Sequence, residues 1–109
     1  MTYLEDVAHD IEAVVRPGQE SDADMRDLFL AYAVLAQAKG EATTAPDVHD
    51  AWVAWMLGRR RDHSSMVPFA DLPADVQRED DPFVEAIQRV ARQRGLRGRW
   101  AQAGDDTDQ

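Results

Sequence analysis

Thr44-Ala45-Pro46-Asp47-Val48-His49-Asp50-Ala51-Trp52-Val53-Ala54-Trp55-Met56 is the stretch that decides the fold. Threonine accepts a hydrogen bond at a helix start, proline needs no partner for a missing N–H in the first turn, and Asp47 holds the place of a capping-box acid. Val48, Trp52, Trp55 and Met56 then share one helical face. Arg59, Arg60 and Arg61 follow where cations suit the negative end of the helix dipole.

Working outward toward the N-terminus, Met25, Leu28, Phe29, Tyr32, Leu35 and Ala36 form a second stripe. Ser21 or Asp22 is positioned to cap it, and Lys39-Gly40 to stop it. Leu4, Val7, Ile11, Val14 and Val15 form an earlier stripe that opens at Thr2 and ends at Pro17-Gly18. In the other direction, residues 62–71 carry Met66, Val67 and Phe69, too apolar for a solvated linker. This loop is expected to fold across the Trp52 and Trp55 face. Pro73 opens a short helix to about Arg78. Asp81, as cap, and Pro82 open a last helix with Phe83, Ile87, Val90 and Ala91 inward, stopped by Gly95.

The pattern predicts an all-α fold: a compact bundle of four main helices plus one short helix, wrapped around Trp52, Trp55, Phe29 and Phe83. A single domain is expected over residues 1–95. Residues 96–109 lack a period and end in acid, which predicts a disordered tail. No alternating run of strand length and no repeat interrupts this reading.

Composition bounds the function. In 109 residues Leu, Ile, Val and Phe number 22, about a fifth, and alanine alone supplies 17. Such a core is thin, and three Trp and four Met are expected to carry much of it. No apolar run approaches the ~18 residues of a membrane span. The Met1-Thr2-Tyr3-Leu4-Glu5-Asp6 start has no basic segment of a secretory signal, so a cytoplasmic location is expected. Zero cysteines exclude disulfides, thiol nucleophiles and cysteine zinc sites. The net charge is −9, with residues 1–50 the most acidic part, which disfavours duplex nucleic acid as a partner.

Chemistry-bearing motifs are sparse. His9, His49 and His63 fall in no metal-ligand spacing, so neither metal nor cofactor is expected. Ser64-Ser65 lacks a base, and Glu79-Asp80-Asp81 reads as a solvated helix junction rather than a calcium loop. Arg89, Arg92, Arg94, Arg97 and Arg99, with Trp100 for stacking, offer a nucleic-acid contact. The indole pair is the best candidate site. Burying both rings contributes several kcal/mol, at ~25 cal/mol per Å². Alternatively they wall a pocket for a planar ligand, lined by Trp52, Trp55, His63, Pro68 and Phe69 and rimmed by Arg59, Arg60 and Arg61 for phosphates.

Residues 48–83 also carry His49-Asp50-Ala51-Trp52, then His63, then Val67-Pro68-Phe69 with Leu72, then Asp80 and Asp81. This resembles the ryanodine-receptor repeat domain. The family's Gly-Trp-x-x-Gly segment is replaced by Arg59-Arg60-Arg61-Asp62, and Ser64 stands where proline follows the histidine. The resemblance implies a helical, non-catalytic module with adenine-nucleotide binding in some members. The whole chain is similar to small uncharacterised proteins of actinobacteria and their phages, through the Leu28-to-Leu35 helix ahead of the tryptophan motif. Three roles follow as expectations: a non-enzymatic accessory module acting through protein–protein contacts or self-association, a nucleotide-binding domain, or a nucleic-acid-binding accessory protein.

Overall fold

The computed structural model describes residues 2–19 and 22–98. Ser21, one of the two candidate caps, and the 99–109 part of the expected tail, with Arg99 and Trp100, lie outside them. Among the described residues there are α- and 3₁₀-helices and no strand. The elements are α1 (Tyr3–Val15), α2 (Ala23–Lys39), α3 (Ala45–Leu57), the four-residue α4 (Ala74–Gln77) and α5 (Asp81–Arg94). Short 3₁₀ turns at Gly40–Ala42, Phe69–Asp71 and Arg78–Asp80 join them. The protein is all-α, with four main helices and a short one.

The helix starts follow local chemistry. Thr2 Oγ1 accepts from the Glu5 N–H at 3.2 Å while Glu5 accepts from the Thr2 N–H at 2.9 Å. Thr44 and Asp47 repeat this reciprocal box at α3, where Pro46 fills the first turn. Asp22 caps α2 through the Met25 N–H at 2.8 Å. The start of α5 departs from expectation. Asp81 is its first residue, not its cap, and no side chain caps that end. The Arg78–Asp80 turn already has helical dihedrals, so the chain enters α5 without the extended residue that a capping side chain needs.

Helices α1, α2 and α5 surround the core. Val7, Ile11, Phe29, Tyr32, Ile87 and Val90 are almost wholly buried there, and Val48 reaches in from α3. Five buried alanines, Ala8, Ala33, Ala36, Ala86 and Ala91, stand between the larger side chains. Their small size lets helix backbones approach closely, so few large aliphatics suffice. The core therefore centres on Phe29 and Tyr32, edge to face at 5.7 Å, with Phe83 against both. Trp52 and Trp55 are half-buried at its margin, not its centre. An indole is large and carries an N–H that needs a partner, which favours the edge of a small core.

The first residues of the expected tail pack back on the domain. Gly95 takes φ +68°, and the Leu96 N–H donates to the Ala91 carbonyl at 2.8 Å, a Schellman turn. That turn aims Leu96 at the core. Gly98 then crosses the end of α2 at Gly40. A Cβ on Gly98 would meet the Lys39 carbonyl carbon at 2.6 Å, and one on Gly40 the Leu96 oxygen at 2.5 Å. Both glycines have positive φ. The crossing needs glycine on both strands of chain, for space and for conformation.

Candidate functional site

One cleft of about 420 Å³ opens between α2, α3, the loop after α3, α4 and the start of α5. Helix α2 supplies Met25, Leu28 and Tyr32. Helix α3 supplies His49, Trp52 and Trp55, three residues of one face. The loop adds His63, Ser65 and Leu72, and the far wall is Val76, Glu79, Asp80 and Phe83.

The loop is held by polar staples. His49 is buried, and its Nε2–H donates to the Val67 carbonyl at 2.6 Å. A carbonyl only accepts, so the proton sits on Nε2 and Nδ1 faces Asp80 at 4.0 Å. Gln77 donates to the carbonyls of both Phe69 and Leu72, at 3.0 and 3.1 Å. His63 Nδ1 accepts from the Ser65 backbone N–H at 3.1 Å, which closes a tight turn beside Trp52. His63 meets the Trp52 ring edge to face at 5.0 Å, and His49 stacks on Trp52 at 5.8 Å. Trp55 is fixed from α2, since its Nε1–H donates to the Asp24 carbonyl at 2.9 Å.

The expected site residues divide. Trp52, Trp55 and His63 do line one cleft. Phe69 lies behind its wall, against His49 at 6.1 Å, and makes no ring contact with either indole among the described residues. Pro68 is exposed and lends the cleft nothing. Arg59, Arg60 and Arg61 do not line the cleft. Arg59 lies over the Trp55 ring at 4.3 Å, donates to the Trp55 carbonyl and pairs with Asp24 and Asp27. Arg60 pairs with Asp62, whose carboxyl it holds below the usual range, and Arg61 is exposed. Nearby acid on α2 and in the loop drew the first two guanidiniums away from the opening.

The charged groups in the cleft lining, its imidazoles aside, are carboxylates. Glu79 and Asp80 line the cleft, so the acidic run is part of the site and not merely a solvated junction. Burial pushes the Asp80 carboxyl up. The neighbouring negative charges of Glu79 and Asp81 add to this, against the pull of His49. Tyr32 is 1% exposed, and its phenol is pushed up, first by burial and then by the charge of Asp80. Its hydroxyl bonds to no described residue, yet no fully buried polar side-chain atom lacks a partner there. The hydroxyl therefore opens onto the cleft. Sequence reading missed His49, Tyr32, Glu79 and Asp80. The resemblance pattern, which picks out His49, Leu72 and Asp80 beside Trp52 and His63, was the available signal. Among the described residues no three histidines and carboxylates come together as a metal set.

Two of the three arginines of α5 are likewise engaged, Arg92 with Glu41 at 2.8 Å and Arg94 with Asp10 at 2.7 Å, while Arg89 is exposed. No described helix is long and apolar enough to cross a membrane.

A family model described as a domain of unknown function (DUF7701) matches residues 2–92. The chain belongs to this family. The matched span runs from the Thr2 cap to the last turn of α5, so it contains every residue of the cleft and all of the described helices but the last two residues of α5. No curated protein and no solved structure matches the chain.

Proposed function

We propose that this member of the family is a small, non-enzymatic accessory module that acts through contacts with a partner protein, and that the α2–α3–loop cleft is its contact site. One observation carries the reading: two half-buried indoles, two imidazoles and two carboxylates converge on one open cleft of about 420 Å³. That volume lies in the range of roughly 300–1,000 Å³ common to ligand sites, and aromatic anchors dominate binding at interfaces. Leu57 and Val67, both exposed, add apolar surface on the same helix–loop unit. The likeness to actinobacterial and phage proteins supports a role in such a host, and the absence of a basic secretory segment in Met1-to-Asp6 supports its cytoplasm.

A photo-crosslinking residue at Ser65 tests this in host extract, with Ala13 on α1 as the control position, since α1 lends no residue to the cleft. The expected result is one adduct that forms from Ser65, not from Ala13, and is lost in Trp52→Ala. Equal labelling from both positions, or none from Ser65, contradicts the reading.

A nucleotide is the second reading. The pair of tryptophans in the cleft and the likeness of residues 48–83 to the ryanodine-receptor repeat favour it. The acidic wall and the internally paired Arg59 and Arg60 weigh against a phosphate.

A further inference from the structure

We infer that the cleft recognises an alkylammonium group: a positively charged amine on a hydrocarbon stem, held among Trp52, Trp55, Tyr32 and Phe83 and drawn in by Asp80 and Glu79. This rests on the binding reading above and specifies its ligand.

Five features of the cleft converge on that chemistry. The walls are chiefly aromatic and aliphatic, with Met25, Leu28, Leu72 and Val76 beside the rings, and suit a stem rather than a second charge. Its carboxylates are both on the Val76-to-Phe83 wall, and no arginine or lysine lines the space to neutralise them. Asp80 forms no hydrogen bond with a described residue; the His49 Nδ1 beside it is 4.0 Å away, too long for one. Glu79 forms no hydrogen bond or ion pair with any described residue. The Tyr32 hydroxyl, in a residue almost wholly buried, points an oxygen into the same space without a protein partner.

The protein itself shows that an indole here accepts a cation, because the Arg59 guanidinium lies over Trp55 at 4.3 Å. An ammonium beside aromatic faces and the half-buried Asp80 carboxylate, with the exposed Glu79 at the mouth, gains from both rings and charge. A phosphate in that position faces two negative charges. A purely apolar ligand covers the half-buried Asp80 without a counter-charge.

The ammonium could belong to a free amine or to a lysine side chain of the partner, and the test separates these sources. The Trp52 indole N–H resonance is followed by NMR during titration with choline, with its uncharged isostere 3,3-dimethylbutan-1-ol, with butylammonium and with AMP. Short peptides carrying one central lysine, trimethyllysine or norleucine form the second arm. The expected result is a shift with the cations and binding of the uncharged isostere weaker by about tenfold or more. Asp80→Asn is expected to weaken the cations by about tenfold while leaving the isostere unchanged. A lysine peptide much tighter than butylammonium assigns the group to a partner protein, and equal affinity assigns it to a small amine. Either supports the inference.

Equal binding of choline and its isostere overturns it, as does a shift with AMP but not with the cations. Should Ser65 crosslink a partner while no cationic probe moves Trp52 at millimolar concentration, the ammonium assignment falls and the contact site stands. The isostere comparison uses the unaltered protein, so it holds even if Asp80→Asn fails to fold.

Discussion

Helices α1, α2 and α5 meet through apolar side chains. Val7, Ile11, Phe29, Ile87 and Val90 are at most 1% exposed, and alanines fill the gaps. The region from α3 through the loop to α4 is joined differently. His49 holds Val67, Gln77 holds Phe69 and Leu72, Trp55 holds Asp24, and Lys39 holds Asp47 at 2.8 Å. Apolar packing is non-directional and closes space, whereas hydrogen bonds fix a few points and leave room between them. The cleft lies where the second kind of construction meets the first. A chain this small keeps an open cleft by packing one region tightly and stapling the other.

Removing the centre of the packed region is expected to have the largest effect. Phe29→Ala should lose about 3–5 kcal/mol, a large part of a small domain's stability. Phe69→Ala, half-buried beneath the loop, should lose clearly less. Thermal melts by circular dichroism compare them, and equal losses would erase the distinction between the regions.

The Gly40–Gly98 crossing sharpens the comparison from outside the cleft. Gly98→Ala places a methyl against Lys39 at a positive φ and should destabilise by about 1–3 kcal/mol. Leu96 should gain exposure while the Trp52 environment stays fixed, as paired fluorescence and NMR measurements would report. An unchanged stability would show that residues 96–98 do not dock as described.

The pH dependence is smaller and has opposite signs in two places. Asp80, raised by burial, contributes stability that is present below the ordinary carboxylate pKa and lost as pH rises through its raised value. For Asp47, burial alone would raise the carboxyl, but the Lys39 ammonium and the Thr44 N–H and hydroxyl together hold it low. It contributes stability above the ordinary range that is lost as pH falls through the lowered value. In urea midpoints from about pH 3 to 7, Asp80→Asn should remove a decline on the upper side of the carboxylate range. Asp47→Asn should remove a decline on the acid side. A profile unaltered by either substitution contradicts both environments.

Helix existence and most caps were legible because they depend on neighbours in sequence. Thr2 with Glu5, Thr44 with Asp47, Pro46 and Gly95 each act within a few residues. The Trp52 and Trp55 face was also legible, but not what it faces. Periodicity shows which side of α3 is apolar and is silent on whether it meets a core or an opening. The Glu79 and Asp80 wall was hidden because a charged run at a helix junction is ordinarily solvated. Here the 3₁₀ turn between α4 and α5 leaves Glu79 exposed and brings Asp80 to within 4.0 Å of His49. Arg59 misled for the converse reason: its carboxylate partners, Asp24 and Asp27, are a helix away in sequence and adjacent in space.

Native-state hydrogen exchange of the wild type and His49→Ala tests the two-region account most directly. Loss of the Val67 staple should accelerate exchange at Met66, Asp71 and Leu72, whose N–H groups bond within the loop, by about ten- to a hundredfold. Amides of α1 and of the middle of α5 should keep the protection set by global unfolding. Acceleration spread evenly over α1, α5 and the loop would contradict the account, for it would mean that core and cleft open as a single unit.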